Sequence, residues 1–137
     1  ALRNGFHTCI FLNEVGKIAE GPGSCFFMVK GNTLITPRLT DSVLESITRD
    51  TVIKLATEEL GMKFVERTID RTEVYMADEA FLCGSAMEVT PIYTVDKYAI
   101  GTGEQGPKTK AIHLKYLEAA QGKLEKYQDW LTPIYEK

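Results

Sequence analysis

The sequence predicts a mixed α/β domain (α+β in its segregation), one unit over residues 1–137, on three observations. Short apolar runs parted by glycine-containing turns fill residues 8–36. A helical apolar face with a glycine stop follows at 48–61. Further strand-like runs and a closing amphipathic helix complete the chain. Of the 137 residues, 44% are hydrophobic and 26% charged, enough to bury one core without repeats, linkers or low-complexity segments.

The elements follow in order. "TCIFLNEVGKIAEG" carries two apolar runs around Asn13-Glu14-Val15-Gly16, where Gly16 can take a positive φ, and reads as a hairpin. "SCFFMVKGNTLITP" repeats the device, with strands at 25–29 and 33–36 around Lys30-Gly31-Asn32, closed by Pro37. In "DSVLESITRDTVIKLATEELG", Ser42 with Glu45 fits a capping box, a break falls near Ser46-Ile47, and the main helix runs on from Thr48. Val52, Ile53, Leu55, Ala56 and Leu60 form its inner face, and Gly61 is its stop. "MKFVERTI" returns to strand, "RTEVYMADEA" is a short helix or loop, and "AFLCGSA" is a buried strand ending at Gly84-Ser85. "IYTVDKYAIG" forms a further hairpin, and a helix over 108–121 turns Ile112, Tyr116 and Leu117 inward. The tail "YQDWLTPIYEK", with the single Trp, is expected to dock on the body. Phe26, Phe27, Met28 and Phe81 are assigned to the core.

Charge and cysteine usage exclude several classes. The net charge is -3 and the isoelectric point about 5.4, so nucleic acid is not an expected partner. The basic residues are scattered apart from a weak cluster at Lys108, Lys110 and Lys115. No apolar run approaches the ~20 residues needed to span a bilayer, so no membrane partner is expected. Cys9, Cys25 and Cys83 lack metal-ligand spacing and are an odd number, which fits reduced, buried thiols in a cytoplasmic protein. His7 and His113 are isolated, and no metal site is expected. The N-terminus has neither a secretory pattern nor an initiator Met, so a processed product, a trimmed chain or a fragment is expected.

Three places pair a polar side chain with a turn. Glu20 precedes Gly21-Pro22-Gly23 at the mouth of a core strand, and reads as a solvated loop residue or as a carboxylate held for chemistry. Ile47 and Thr48 open the long helix, where unpaired amides favour an anion; alternatively, Thr48 only caps its own helix. Ser85 and Ala86 end a buried strand and leave room for a ligand near the backbone, or mark a plain strand exit.

In their order along the chain, "GSCFFMV" with Glu20, "LITP", "LESITRDTVIKLATEELG", "ADEAFLCGSAMEVTPI" and "GPKT" resemble the class IV (fold-type IV) pyridoxal-phosphate aminotransferases, from about Asn4 to Trp130. The motifs are most similar to members acting on branched-chain amino acids. D-amino acid aminotransferases and aminodeoxychorismate lyases are the alternatives within the fold, and a truncated non-catalytic binding or assembly module is the alternative outside it. The resemblance implies the C-terminal domain of the D-amino acid aminotransferase-like fold, a mixed sheet or pseudo-barrel with flanking helices. It implies pyridoxal 5'-phosphate as cofactor, and PLP-dependent transamination of branched-chain L-amino acids with 2-oxoglutarate by a homo-oligomer.

By the same resemblance Glu20 faces the pyridine nitrogen, Leu44 packs against the ring, and Ile47, Thr48 and Ser85 hold the phosphate. Ala86 and Met87 offer amides to the substrate α-carboxylate. Cys25 stands where Asn is common, Ser46 where Gly is common, and Met87 is bulkier than the Ala often found there. The resemblance implies that the family's Schiff-base lysine and N-terminal domain lie before the stretch matched here; no Lys precedes Lys17, and Lys17 sits in a hairpin turn with the wrong surroundings. The chain by itself is therefore expected to be inactive, and its hold on the cofactor incomplete.

Overall fold

A computed structural model describes residues 1–134. Its centre is a mixed sheet in the order β4-β3-β2-β5-β6, formed by Lys63–Glu66, Thr33–Thr36, Ser24–Lys30, Glu79–Gly84 and Glu88–Pro91, with β1 (Glu20–Gly21) hydrogen-bonded to β2. The sheet is open and not closed into a barrel, which decides between the two predicted forms. All pairings are antiparallel except β3 with β4, which run parallel because α1 (Ile47–Lys54) crosses between them. A small hairpin of β7 (Thr94–Val95) and β8 (Tyr98–Ala99) stands apart, and α2 (Pro107–Ala120) packs across β5 and β6.

β2 is the central strand, buried on both faces, and the alternation of its side chains builds two cores. Cys25, Phe27 and Val29 face α1 and α2 together with Leu34, Val52, Phe81 and Ile112. Phe26 and Met28 face the other way, toward Ile18, Ile69, Leu82 and Ile100. Phe27 and Phe81 are opposite each other across β2–β5 and stack at 5.1 Å. Thr36, fully buried, donates its hydroxyl hydrogen to the Phe26 carbonyl at 2.8 Å and so is satisfied at the sheet's interior end.

Most predicted elements are present. The 8–20 hairpin is an irregular ladder, held by Phe11 N–H to the Glu20 carbonyl at 2.7 Å and Ala19 N–H to the Phe11 carbonyl at 2.9 Å. The predicted capping box at Ser42 and Glu45 is absent: Ser42 is left-handed, with φ +66°, after a 3-10 turn at Leu39–Asp41, and residues 43–46 are irregular. The N-cap is Ser46 instead, whose Oγ accepts from Arg49 N–H at 3.2 Å. A capping box does occur at Asp70 and Glu73, before the 3-10 segment Arg71–Met76. The main helix is shorter than its apolar face suggests, because Leu55–Glu59 widen into a π-turn before Gly61 takes φ +60°. β6 is a strand where the sequence reads only as an exit from β5. Cys25 and Cys83 are free and buried, but Cys9 is half-exposed because the segment carrying it runs along the surface. The described part of the tail docks as expected, with Tyr127 buried and its ring 4.3 Å from Trp130, while residues 135–137 of that tail lie outside the described residues.

Candidate functional site

A cleft of about 340 Å³ opens at the end of β2 and β5 that faces the start of α1. Glu20, Leu44, Ile47, Thr48 and Ser85, five residues from three separate stretches of sequence, line it together. Ala86 and Met87 do not line it. They form the β5–β6 turn beside Ser85, with Ala86 exposed and the Met87 side chain packed toward the second core.

Each wall has a local cause. Glu20 ends the irregular hairpin, and the Pro22-Gly23 turn, with Gly23 at φ +63°, folds β1 directly back on β2. Its carboxylate is half-buried, and Oε2 accepts from the Leu44 N–H at 2.9 Å. This bond ties the irregular 43–46 segment to the cleft. Leu44 and Ile47 stand together at the mouth, 73% and 89% exposed.

At α1 the cap is Ser46, so Thr48 does not cap its own helix; it is 7% exposed and free to face the cleft. The amides of Ile47 and Thr48 occupy the first two helical positions, which no intrahelical carbonyl can reach. The positive end of the helix dipole lies at the same point.

The floor is made of small residues and thiols. A Cβ on Gly84 would meet the Gly23 carbonyl oxygen at 2.7 Å, so β5 approaches the turn as closely as it does only because residue 84 is glycine. Cys25 and Cys83 are direct partners across β2–β5 and both line the cleft. The Cys25 Sγ donates to the Leu44 carbonyl at 3.8 Å, and the thiol is pulled down to about 7, chiefly by the neighbouring Cys83 thiol and then by Ser46 and the Arg49 charge, against burial and the Glu20 carboxylate. The Cys83 thiol is pushed up by that same pairing and by burial. Ser24 also lines the cleft, but its Oγ, buried with no hydrogen-bond partner among the described residues, lies on the other face of β2 beside Gly21 and Leu82.

Two of these residues were missed from sequence. Ser24 and Cys83 carry no signal until β2 and β5 are paired, whereas Gly84 is visible as the glycine ending a buried strand and Ser46 before "ITRD" is a legible N-cap. Lys17 is not part of the cleft; its ammonium pairs with Asp70. His7 is exposed, and His113 Nε2 lies 3.2 Å from Glu88 Oε2. Among the described residues no three His, Cys, Asp or Glu side chains gather as a metal site, and no helix is long and apolar enough to cross a membrane.

The family described as Amino-transferase class IV matches residues 1–95. The branched-chain-amino-acid aminotransferase of Pseudomonas aeruginosa is 42% identical over 134 residues, covering 98% of this chain and 43% of that protein. Among solved structures, the branched-chain amino acid aminotransferase of Thermobaculum terrenum in its PLP form superposes with a TM-score of 0.96 at 51% identity, over 99% of this chain and 44% of that one. The branched-chain aminotransferase of Thermoproteus uzoniensis with norvaline gives 0.93 at 44% identity, over 98% and 44%. The chain thus spans less than half the length of the relatives it matches.

Proposed function

Because this chain belongs to the class IV aminotransferases, we propose that it is the C-terminal, cofactor-binding domain of a pyridoxal-phosphate-dependent branched-chain aminotransferase. The whole protein would exchange amino groups between branched-chain L-amino acids and 2-oxoglutarate. One observation carries the assignment: Glu20, Leu44, Ile47, Thr48 and Ser85 converge on one cleft.

The residues present suit the cofactor. The open amides of Ile47 and Thr48, at the positive end of α1, are donors suited to a phosphate. Bound there, the cofactor supplies an electron sink for the pair released when the substrate Cα–H bond breaks. Glu20, ionised, keeps a proton on the pyridine nitrogen, and the Leu44 amide on Oε2 fixes the direction of the carboxylate. Ile47 and Thr48 give their amides, and Thr48 and Ser85 their hydroxyls, to the phosphate. Leu44 covers the ring. Ala86 and Met87, on the adjoining turn, receive the substrate α-carboxylate on their amides, while the Met87 side chain packs away from the cleft into the second core. Proton transfer at Cα falls to the family's lysine, in the part of its relatives that this chain does not span. The exposed Leu44 and Ile47 support a further surface closing over the mouth, from the rest of the protein or from a second copy.

The test is an absorbance titration of the chain with pyridoxamine 5'-phosphate, a ligand that needs no lysine anchor. Saturable binding is expected, weakened about tenfold or more in Glu20→Ala and in Thr48→Ala, a loss of about 1.4 kcal/mol each. Equal affinity in all three proteins would overturn the assignment. For the whole protein, a preference for D-alanine over L-leucine would overturn the substrate class.

A further inference from the structure

Arg49 is the one charged residue fully buried among the described residues, 6% exposed on the first turn of α1. Burying a guanidinium costs several kcal/mol unless it is fully paired, and this one is not. Nη2 donates to Glu66 Oε2 at 2.6 Å and to the Pro37 carbonyl at 3.2 Å, while Nε is buried with no partner. Glu66 is itself 36% exposed, so water screens part of the one negative charge that answers Arg49. A cation is therefore left under-neutralised beneath the helix turn that bears Ile47 and Thr48.

Its field reaches the cleft. The Arg49 charge favours the ionised form of both floor thiols, Cys25 and Cys83, while Glu20 acts on Cys25 with the opposite sign. The cleft is thus polarised, positive toward α1 and negative toward Glu20. That polarity matches a ligand carrying an anion at one end and a protonated ring nitrogen at the other. We infer that Arg49 is a positioning residue that charges the α1 end of the cleft for a phosphate, with Glu66 setting how much of its charge is felt there. The inference rests on the cofactor reading above and adds to it a group that touches no part of the ligand.

The charge of Glu66 separates an electrostatic role from a merely structural one. If Arg49 acts through its field, Glu66→Gln frees more of that field. Affinity for pyridoxamine 5'-phosphate then rises about two- to fivefold, the size of a single charge acting near a helix terminus. Phosphate-free pyridoxamine is unaffected, Arg49→Lys stays close to wild type, and Arg49→Met weakens only the phosphorylated ligand. A second readout needs no cofactor: the pH midpoint for alkylation of Cys25, followed by peptide mass. The groups facing this thiol are Cys83 on β5, Ser46 at the α1 cap, Glu20 on β1 and Arg49. The midpoint should fall in Glu66→Gln and rise in Arg49→Met. If Glu66→Gln weakens both ligands equally and leaves the midpoint still, Arg49 only braces the helix and the inference is overturned. If pyridoxamine 5'-phosphate does not bind the wild-type chain, the cofactor reading fails on its own. The thiol midpoint then still decides Arg49: movement as stated supports it, and no movement overturns it.

Discussion

Replacing Gly84 by alanine tests whether the close approach of β5 to the Gly23 turn shapes the cleft. The new Cβ would lie 2.7 Å from the Gly23 carbonyl oxygen and 3.5 Å from Ser24 Cα, both backbone atoms that cannot swing aside as a side-chain end would. Overpacking of this kind costs about 1–3 kcal/mol, and removing a strand glycine returns about 0.5–1 kcal/mol of chain entropy. The net loss is therefore about 0–2.5 kcal/mol, centred a little above 1 kcal/mol. Relief requires the turn to move, and Glu20 moves with it, away from the Leu44 amide it holds at 2.9 Å. Gly23→Ala is the control: nothing lies within 4 Å of its Cβ, so it pays only for φ +63°, about 1 kcal/mol. Urea unfolding followed by Trp130 fluorescence gives the stabilities, and the pyridoxamine 5'-phosphate titration gives the affinities. Gly84→Ala should lose both stability and affinity, and Gly23→Ala stability alone. If Gly84→Ala matches wild type in affinity and lies within about 0.5 kcal/mol in stability, the close approach does not shape the site.

Two further outcomes follow from other parts of the fold. The two oxygens of Glu79 accept from Lys108 N–H at 3.0 Å and Thr109 N–H at 2.7 Å, capping α2 from β5, and Gly106 has no Cβ because one would lie 2.0 Å from the Glu79 carboxyl carbon. Glu79→Ala should cost about 2–4 kcal/mol in urea unfolding and Glu79→Gln about half as much, whereas a loss below about 1 kcal/mol would show that water replaces the cap. The Tyr127 hydroxyl is pushed up to about 12 by burial and by the Glu59 and Glu58 carboxylates. The folded state then holds this proton more tightly than the unfolded chain does, so its contribution is complete below pH 10 and is lost as pH rises toward 12. Melting curves between those limits should fall more steeply for wild type than for Tyr127→Phe, and parallel curves would refute the assignment.

Local rules made much of the fold legible. The turn at Lys30-Gly31-Asn32 and the stop at Gly61 need only backbone freedom, and the core assignment of Phe26, Phe27, Met28 and Phe81 needs only apolar character. Where two local signals competed, the pattern misled. Ser42 with Glu45 has the spacing of a capping box, but Glu20 draws the Leu44 amide out of any helix, and the first turn begins only at Ile47. β6 hid because its strand character depends on pairing with β5, with Glu88 at φ +52° closing a three-residue turn. In the cleft, Glu20, Thr48 and Ser85 were visible as residue types beside turns. Ser24 and Cys83 were not, because what distinguishes them is a missing partner or a neighbour far along the chain.

The β2–β5 pairing also orders events in time. β3, α1 and β4 are close in sequence and can assemble while the chain is short, which leaves the amides of Ile47 and Thr48 in place early. The wall carrying Cys83, Gly84 and Ser85 arrives only when β5 inserts beside β2, a contact between distant segments that is slow to form. Until then one flank of β2, the most buried strand of the molecule, has no partner and is open to pairing with another chain. A ligand that spans both walls would draw off the assembled form as it appears, so refolding yield at high protein concentration should depend on the ligand present during folding as well as on the sequence.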